Sequence, residues 1–128
     1  EEFNRLDPGV TYVFRTVKAS IVLGGVSLKP EDVVFISNHA VNRDPAGFEN
    51  PDECILDRAV NPHFAFGHGP HFCLGARLAR IQMQICMEQM VQLPVLAFVA
   101  CAPPVRSHYA LSFSGFEVLP LTTTKEIV

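Results

Sequence analysis

The chain has 128 residues, the length of one ordinary domain, with 48% apolar and 18% charged side chains. Ten Phe, ten Pro and no Trp predict a loop-rich fold around a heavily buried centre. A net charge of −3 excludes the basic footprint of a nucleic-acid or anionic-membrane binder, and no apolar run reaches the roughly eighteen residues that a transmembrane helix needs.

In chain order, residues 1–6 read as the end of a helix, stopped by Asp7-Pro8-Gly9. Glu1-Glu2-Phe3 opens with neither a basic region nor an apolar run, so no signal peptide is expected. The β-branched and aromatic run at 10–17 predicts a strand. Residues 20–23 and 26–28 flank Gly24-Gly25, a hairpin signal. After Lys29-Pro30-Glu31-Asp32, residues 33–37 form a further strand. Residues 42–65, broken by Pro45, Pro51 and Pro62, predict a long irregular stretch of the kind that compact domains keep for a functional reason. Residues 74–92 give the clearest helix, apolar on most sides, as a helix in the middle of a larger body would be. Residues 93–128 predict short strands around Pro94, Pro103-Pro104 and Gly115, then a polar tail. The fold class is α+β.

The richest stretch is Phe66-Gly67-His68-Gly69-Pro70-His71-Phe72-Cys73-Leu74-Gly75. It sets one cysteine on a glycine-rich loop just before the helix. Gly67 and Gly69 permit positive φ or close approach to a bulky group. A helix opening at Leu74 would aim unpaired N–H groups and a positive dipole end back at the sulfur, favouring the metal-ligating thiolate. The N–H groups of Leu74, Gly75 and Ala76 are the expected donors. A soft anionic ligand held against something flat and large points to a haem iron. His63, His68 and His71 with Cys73 can also be read as a zinc cluster, although the loop glycines would serve nothing in a closed tetrahedral site. Cys54, Cys86 and Cys101 read as small buried hydrophobes. The four cysteines have neither zinc-ribbon spacing nor disulfide density, so a reducing cytoplasm is the expected location.

Three further features are ambiguous as residues alone. Glu2 and Arg5 stand three apart on one helical face and can pair, as many solvated surface pairs do. Arg15 lies in a strand, where an arginine either faces solvent or binds a carboxylate through two parallel N–H bonds. Arg77 and Arg80 are either a solvated helix face or a surface for an acidic partner.

Phe66, Gly69, Cys73 and Gly75 fill every position of Phe-x-x-Gly-x-x-x-Cys-x-Gly, and the stretch resembles the haem-binding signature of the cytochrome P450 family. The continuation Ala76-Arg77-Leu78-Ala79-Arg80 is similar to bacterial members. Glu2-Phe3-Asn4-Arg5 matches the family's Glu-x-x-Arg motif, and Asp57-Arg58 matches the place where a second arginine joins it. The resemblance implies a buried Glu2–Arg5–Arg58 network, Cys73 as axial iron ligand, and Arg15 and His71 on the haem propionates. It further implies Phe66 packed beside the sulfur, with Gly67, Gly75 and Ala76 against the cofactor. Val10, Val13, Ser112 and Phe113 fall where members line the substrate pocket; core packing serves Val10 and Val13 equally well. Cys54 departs from the aromatic usual at its position, which would loosen packing under the loop.

The order of elements resembles the C-terminal part of the family's fold, from about residue 2 to 121. Residues 1–128 are therefore expected to be a C-terminal fragment of a single haem-thiolate monooxygenase domain. Such an enzyme uses haem b (iron protoporphyrin IX) to insert one atom of O2 into a small apolar organic substrate. A ferredoxin or other redox partner supplies electrons, and neither nucleic acid nor membrane is implied. The distal helix that carries the family's acid–alcohol pair has no counterpart among these residues. The alternative is a non-catalytic truncated remnant that at most binds haem.

Overall fold

A computed structural model describes residues 1–93, 97–107 and 112–124. The chain divides into two compact units, residues 1–67 with 112–114 and residues 68–107 with 115–124.

The first unit runs α1 (Glu2–Leu6), β1 (Tyr12–Thr16), β2 (Ile21–Leu23), β3 (Val26–Leu28), β4 (Val33–Ser37) and α2 (Asn38–Val41). Asp7 caps α1, its N–H returning to Phe3 O at 2.9 Å, and Pro8 cannot continue the helix. β1 and β4 pair antiparallel from Tyr12 opposite Ser37 to Thr16 opposite Val33. β2 and β3 form the expected hairpin; Gly24 and Gly25 take φ of +56° and +82°, the two left-handed positions a two-residue turn needs. A cavity of about 430 Å³ is lined by Arg15, Val17, Ile21, Leu28, Val34 and Ile36 among others. Sequence pattern missed α2, a single turn whose start is capped by Ser37 Oγ accepting from Ala40 N–H at 3.2 Å. Residues 42–67 contain no helix or strand, only turns such as the Asx turn at Asp44, where Oδ1 accepts from Ala46 N–H at 2.9 Å.

The second unit begins with a 3₁₀ turn at Gly69–His71, then α3 (Ala76–Met90), β5 (Ala97–Ala100), β6 (Val105–Arg106), β7 (Phe116–Val118) and β8 (Leu121–Thr124). β5 pairs with β8 and β6 with β7, both antiparallel. The strand expectation around 103–104 and 115 is met by β6 and β7. Pro94 and the polar tail at 125–128 fall outside the described residues.

Two expectations are corrected. α3 opens at Ala76 rather than Leu74, because Gly75 sits at φ −83° and ψ 1° as its N-cap. Nor is the centre heavily apolar: among the described residues the buried hydrophobes are Phe48 and Ala76, while Glu2, Arg5, Asn38 and Asn42 are buried polar groups. Leu78, Ile81, Met83, Ile85 and Met87 on α3 are exposed, as are Phe14, Phe35 and Val22 on the strands. Cys54, Cys86 and Cys101 are likewise exposed rather than buried. Two-stranded ladders and one long helix present more apolar face than they cover for one another.

Candidate functional site

The first unit is organised around an ion-paired network. Arg5 is fully buried and spends all five guanidinium donors. Nε and one Nη meet the Glu2 carboxylate at 2.8 and 2.6 Å; the other contacts are the carbonyls of Asn42 at 2.8 Å, Pro51 at 2.5 Å and Glu53 at 2.8 Å. Arg58 Nε reaches Glu2 Oε1 at 3.1 Å, and its Nη groups hold the carbonyls of Glu49 and Asn50 at 2.6 and 3.3 Å. The Phe48 ring lies 5.2 Å from the Arg5 guanidinium and 6.0 Å from that of Arg58. Hydrogen bonding from Arg5 lowers the Glu2 carboxyl from 4.5 to about 2, against the opposing pull of burial and with help from Ile55 N–H and Arg58. The same bond raises Arg5. Three helix-spaced and loop residues thus pin the irregular stretch at 42–58 by its own carbonyls.

Several contacts in this unit lie beyond what the sequence disclosed. Asn61 Nδ2 donates to Glu2 Oε2 at 2.9 Å, and Asn42 Oδ1 accepts from Phe64 N–H at 2.7 Å. Asn38 Nδ2 donates to Val10 O at 2.9 Å. Asparagines scattered through a loop carry no spacing signal, because their partners are set by the tertiary path of the chain. Residues 9–11 and 112–114 are joined through the backbone: Val10 bridges to Phe113, Thr11 N–H donates to Ser112 O at 2.9 Å, and Ser114 N–H donates to Gly9 O at 2.8 Å. Val10, Val13 and Ser112 are half-buried and Phe113 is exposed. Arg15 is exposed, with one Nη on Phe14 O at 2.8 Å. Phe66 is half-buried with its ring 5.9 Å from that of His63, and Gly67 turns at φ +74° with its N–H on Phe64 O at 2.9 Å.

In the second unit Cys73 is an exposed free thiol between exposed Phe72 and Leu74. Gly69 turns at φ +72°, a conformation that favours glycine, and His71 is exposed at the end of the 3₁₀ turn. A Cβ on Gly75 would meet Cys73 Sγ at 3.9 Å, an ordinary contact. Ala76 is buried, and its N–H donates to Cys73 O at 3.2 Å. That corrects the expectation for this donor: closing the first helical turn takes the N–H to the carbonyl of Cys73.

Among the described residues no three His, Cys, Asp or Glu come together as a metal-holding group, which corrects the zinc reading of His63, His68 and His71 with Cys73. One unpartnered sulfur in an open apolar surround suits a metal that brings its own macrocycle and asks the protein for a single axial ligand. The residues fit the group.

The described residues combine an α+β framework with a buried Glu2–Arg5–Arg58 network and a cysteine loop hinged by Gly69. The family model described as Cytochrome P450 matches residues 1–93, and the chain belongs to that family. It is similar to the biotin biosynthesis cytochrome P450 of Bacillus subtilis, 35% identical over 123 residues covering 95% of this chain and 31% of the relative. Cytochrome P450 107B1 of Saccharopolyspora erythraea is 34% identical over 115 residues, 89% of this chain and 28% of that protein. The crystal structure of P450BioI in complex with acyl carrier protein ligated to hexadec-9Z-enoic acid superposes with a TM-score of 0.87 at 32% identity. That match covers 95% of this chain and 31% of the other. The chain spans about a third of the length of these relatives, as the 28% and 31% shares give.

Proposed function

We propose that this chain is the C-terminal, cysteine-bearing portion of a haem-thiolate monooxygenase that transfers one atom of O2 to a small apolar organic substrate. The observation that carries the reading is the free, exposed Cys73 thiol on a loop hinged by Gly69 at φ +72°, in a chain that belongs to the cytochrome P450 family. Haem b, when bound, supplies the oxygen-activating chemistry, and a thiolate ligand favours O–O cleavage.

The chain's own residues have distinct parts in this. Cys73 gives the sulfur donor. Arg15 and His71 hold propionates, Arg15 through the fork geometry that matches a carboxylate. Phe66 shields the sulfur from water, and the missing side chains of Gly67 and Gly75 leave room for the porphyrin. Ala76 closes the first turn of α3 beneath the loop. Glu2, Arg5 and Arg58 keep the irregular stretch in one path, a role in which a buried ion network specifies geometry. Val10, Val13, Ser112 and Phe113 bound the apolar substrate. Arg77 is exposed on α3, and with Arg80 it forms a cationic site for a ferredoxin or similar redox partner. The many uncovered apolar side chains support a second statement: oxygen activation needs a water-excluding distal wall, and the described residues do not supply it unaided.

Haem titration followed by absorbance tests the assignment. One haem per chain is expected, with weaker binding in Arg15→Ala and His71→Ala but the same ligand signature. Equal affinity in both variants would remove these residues from the site.

A further inference from the structure

The buried network of the first unit is unbalanced in charge. Two guanidiniums, those of Arg5 and Arg58, stand against the one carboxylate of Glu2, and these side chains are 0%, 8% and 3% exposed. Taking a cation out of water is costly unless something answers its charge, so the excess positive charge needs a counterpart inside the unit. Asp52, whose charge also acts on Arg5, is 83% exposed and paired with Arg43 at 3.3 Å. Backbone carbonyls supply part of the counterpart, from Asn42, Pro51 and Glu53 to Arg5 and from Glu49 and Asn50 to Arg58, as above. Phe48 lies against both cations. It is the one buried aromatic among the described residues of this unit, and the guanidiniums of Arg5 and Arg58 stand over its ring at 5.2 and 6.0 Å. The turn before it is tied down, because Asp44 O accepts the N–H groups of both Gly47 and Phe48 at 2.9 Å while Asp44 Oδ1 holds that of Ala46. A fixed turn thus delivers a ring, negative at its face, to the place where two cations meet.

We propose that Phe48 acts as the network's second negative partner and is a positioning residue for Arg58: its ring face keeps that guanidinium on Glu2 and on the carbonyls of Glu49 and Asn50. Arg58 is the member that needs it. Arg5 grips Glu2 with Nε and one Nη, whereas Arg58 reaches the carboxylate with Nε alone. An aliphatic side chain of similar volume would fill the space and leave the excess charge unanswered. The proposal stands on the geometry of Glu2, Arg5, Arg58 and Phe48, and it is independent of the reading of Cys73 as haem ligand.

The test replaces Phe48 in the full chain with phenylalanines carrying one, two or three ring fluorines, which draw negative charge off the ring face with little change in volume. The urea midpoint of unfolding is expected to fall with each fluorine, and the fall should become shallower in an Arg58→Met background. Fluorine makes a ring more apolar, so a Phe48 that only packs would keep or raise the midpoint along the series, and that result would overturn the proposal. An equal fall with and without Arg58 would overturn it too, since crowding by fluorine does not depend on a cation. Should Arg58→Met fail to fold, exchange of the Arg58 Nε–H proton with water, followed by NMR along the fluorine series, decides in its place. Quickening exchange is the expected result, and unaltered exchange would show that the ring does not position Arg58.

Discussion

Arg5 has no spare donor: every N–H it carries is committed to Glu2 or to the carbonyls of Asn42, Pro51 and Glu53. Arg5→Ala would leave a buried carboxylate and three carbonyls without that partner, a loss of about 3–5 kcal/mol measurable by urea unfolding. Arg5→Lys is expected to recover little, because one ammonium cannot reach acceptors arranged around a planar fork. Glu2 gives the pH dependence. Its carboxyl is lowered from 4.5 to about 2, so its contribution to stability is full above about 4.5 and is lost as the pH falls toward 2. Unfolding free energy measured across that window should decline, and Glu2→Gln should flatten the decline. The Glu2–Arg5 spacing was legible in the sequence because helix geometry is local. The three carbonyls were not, because only the path of residues 42–53 brings them there. Asn61 and Asn42 stayed hidden for the same reason.

At the level of elements, β-branched enrichment and turn chemistry gave β2, β3 and β4 nearly to the residue and β1 with three residues too many, and Gly24-Gly25 marked the hairpin. α2 was invisible because four residues hold little more than one helical period. The start of α3 was misplaced by two residues because Leu74 continues the apolar pattern while Gly75 ends the loop. The loop glycines differ in what they forbid. Gly69→Ala has open space for its Cβ but must adopt φ +72°, so a loss of about 1–2 kcal/mol is expected from strain alone. Gly75→Ala finds only an ordinary 3.9 Å contact with Cys73 Sγ. As the N-cap of α3 it should cost the haem-free chain at most about 1 kcal/mol, alanine being the poorer cap, and it should weaken haem binding. Paired unfolding and haem-titration curves check both; equal haem affinity in Gly75→Ala would take that glycine off the porphyrin face.

For the molecule as a whole, composition misled in one respect: a high apolar fraction was read as a buried centre, yet those side chains largely face outward. Composition counts residues without saying which surfaces they will meet. The relatives are about three times longer than this chain, as the 31% share gives, and α3 carries the apolar character of a helix with neighbours. The chain produced by itself is accordingly expected to bind a hydrophobic dye strongly and to self-associate with rising concentration in sedimentation. A dye response no greater than that of a full-length relative would contradict this. Recognition, by contrast, was carried by very few positions, because a single sulfur on a hinged loop is a chemical requirement that spacing can express.

The most direct measurement is the reduced carbon-monoxide difference spectrum of the haem-loaded protein beside its Cys73→Ala variant. A Soret band of the thiolate type in the parent, absent from the variant, is the predicted result. The same band in both, or in neither, would contradict a sulfur–iron bond at residue 73.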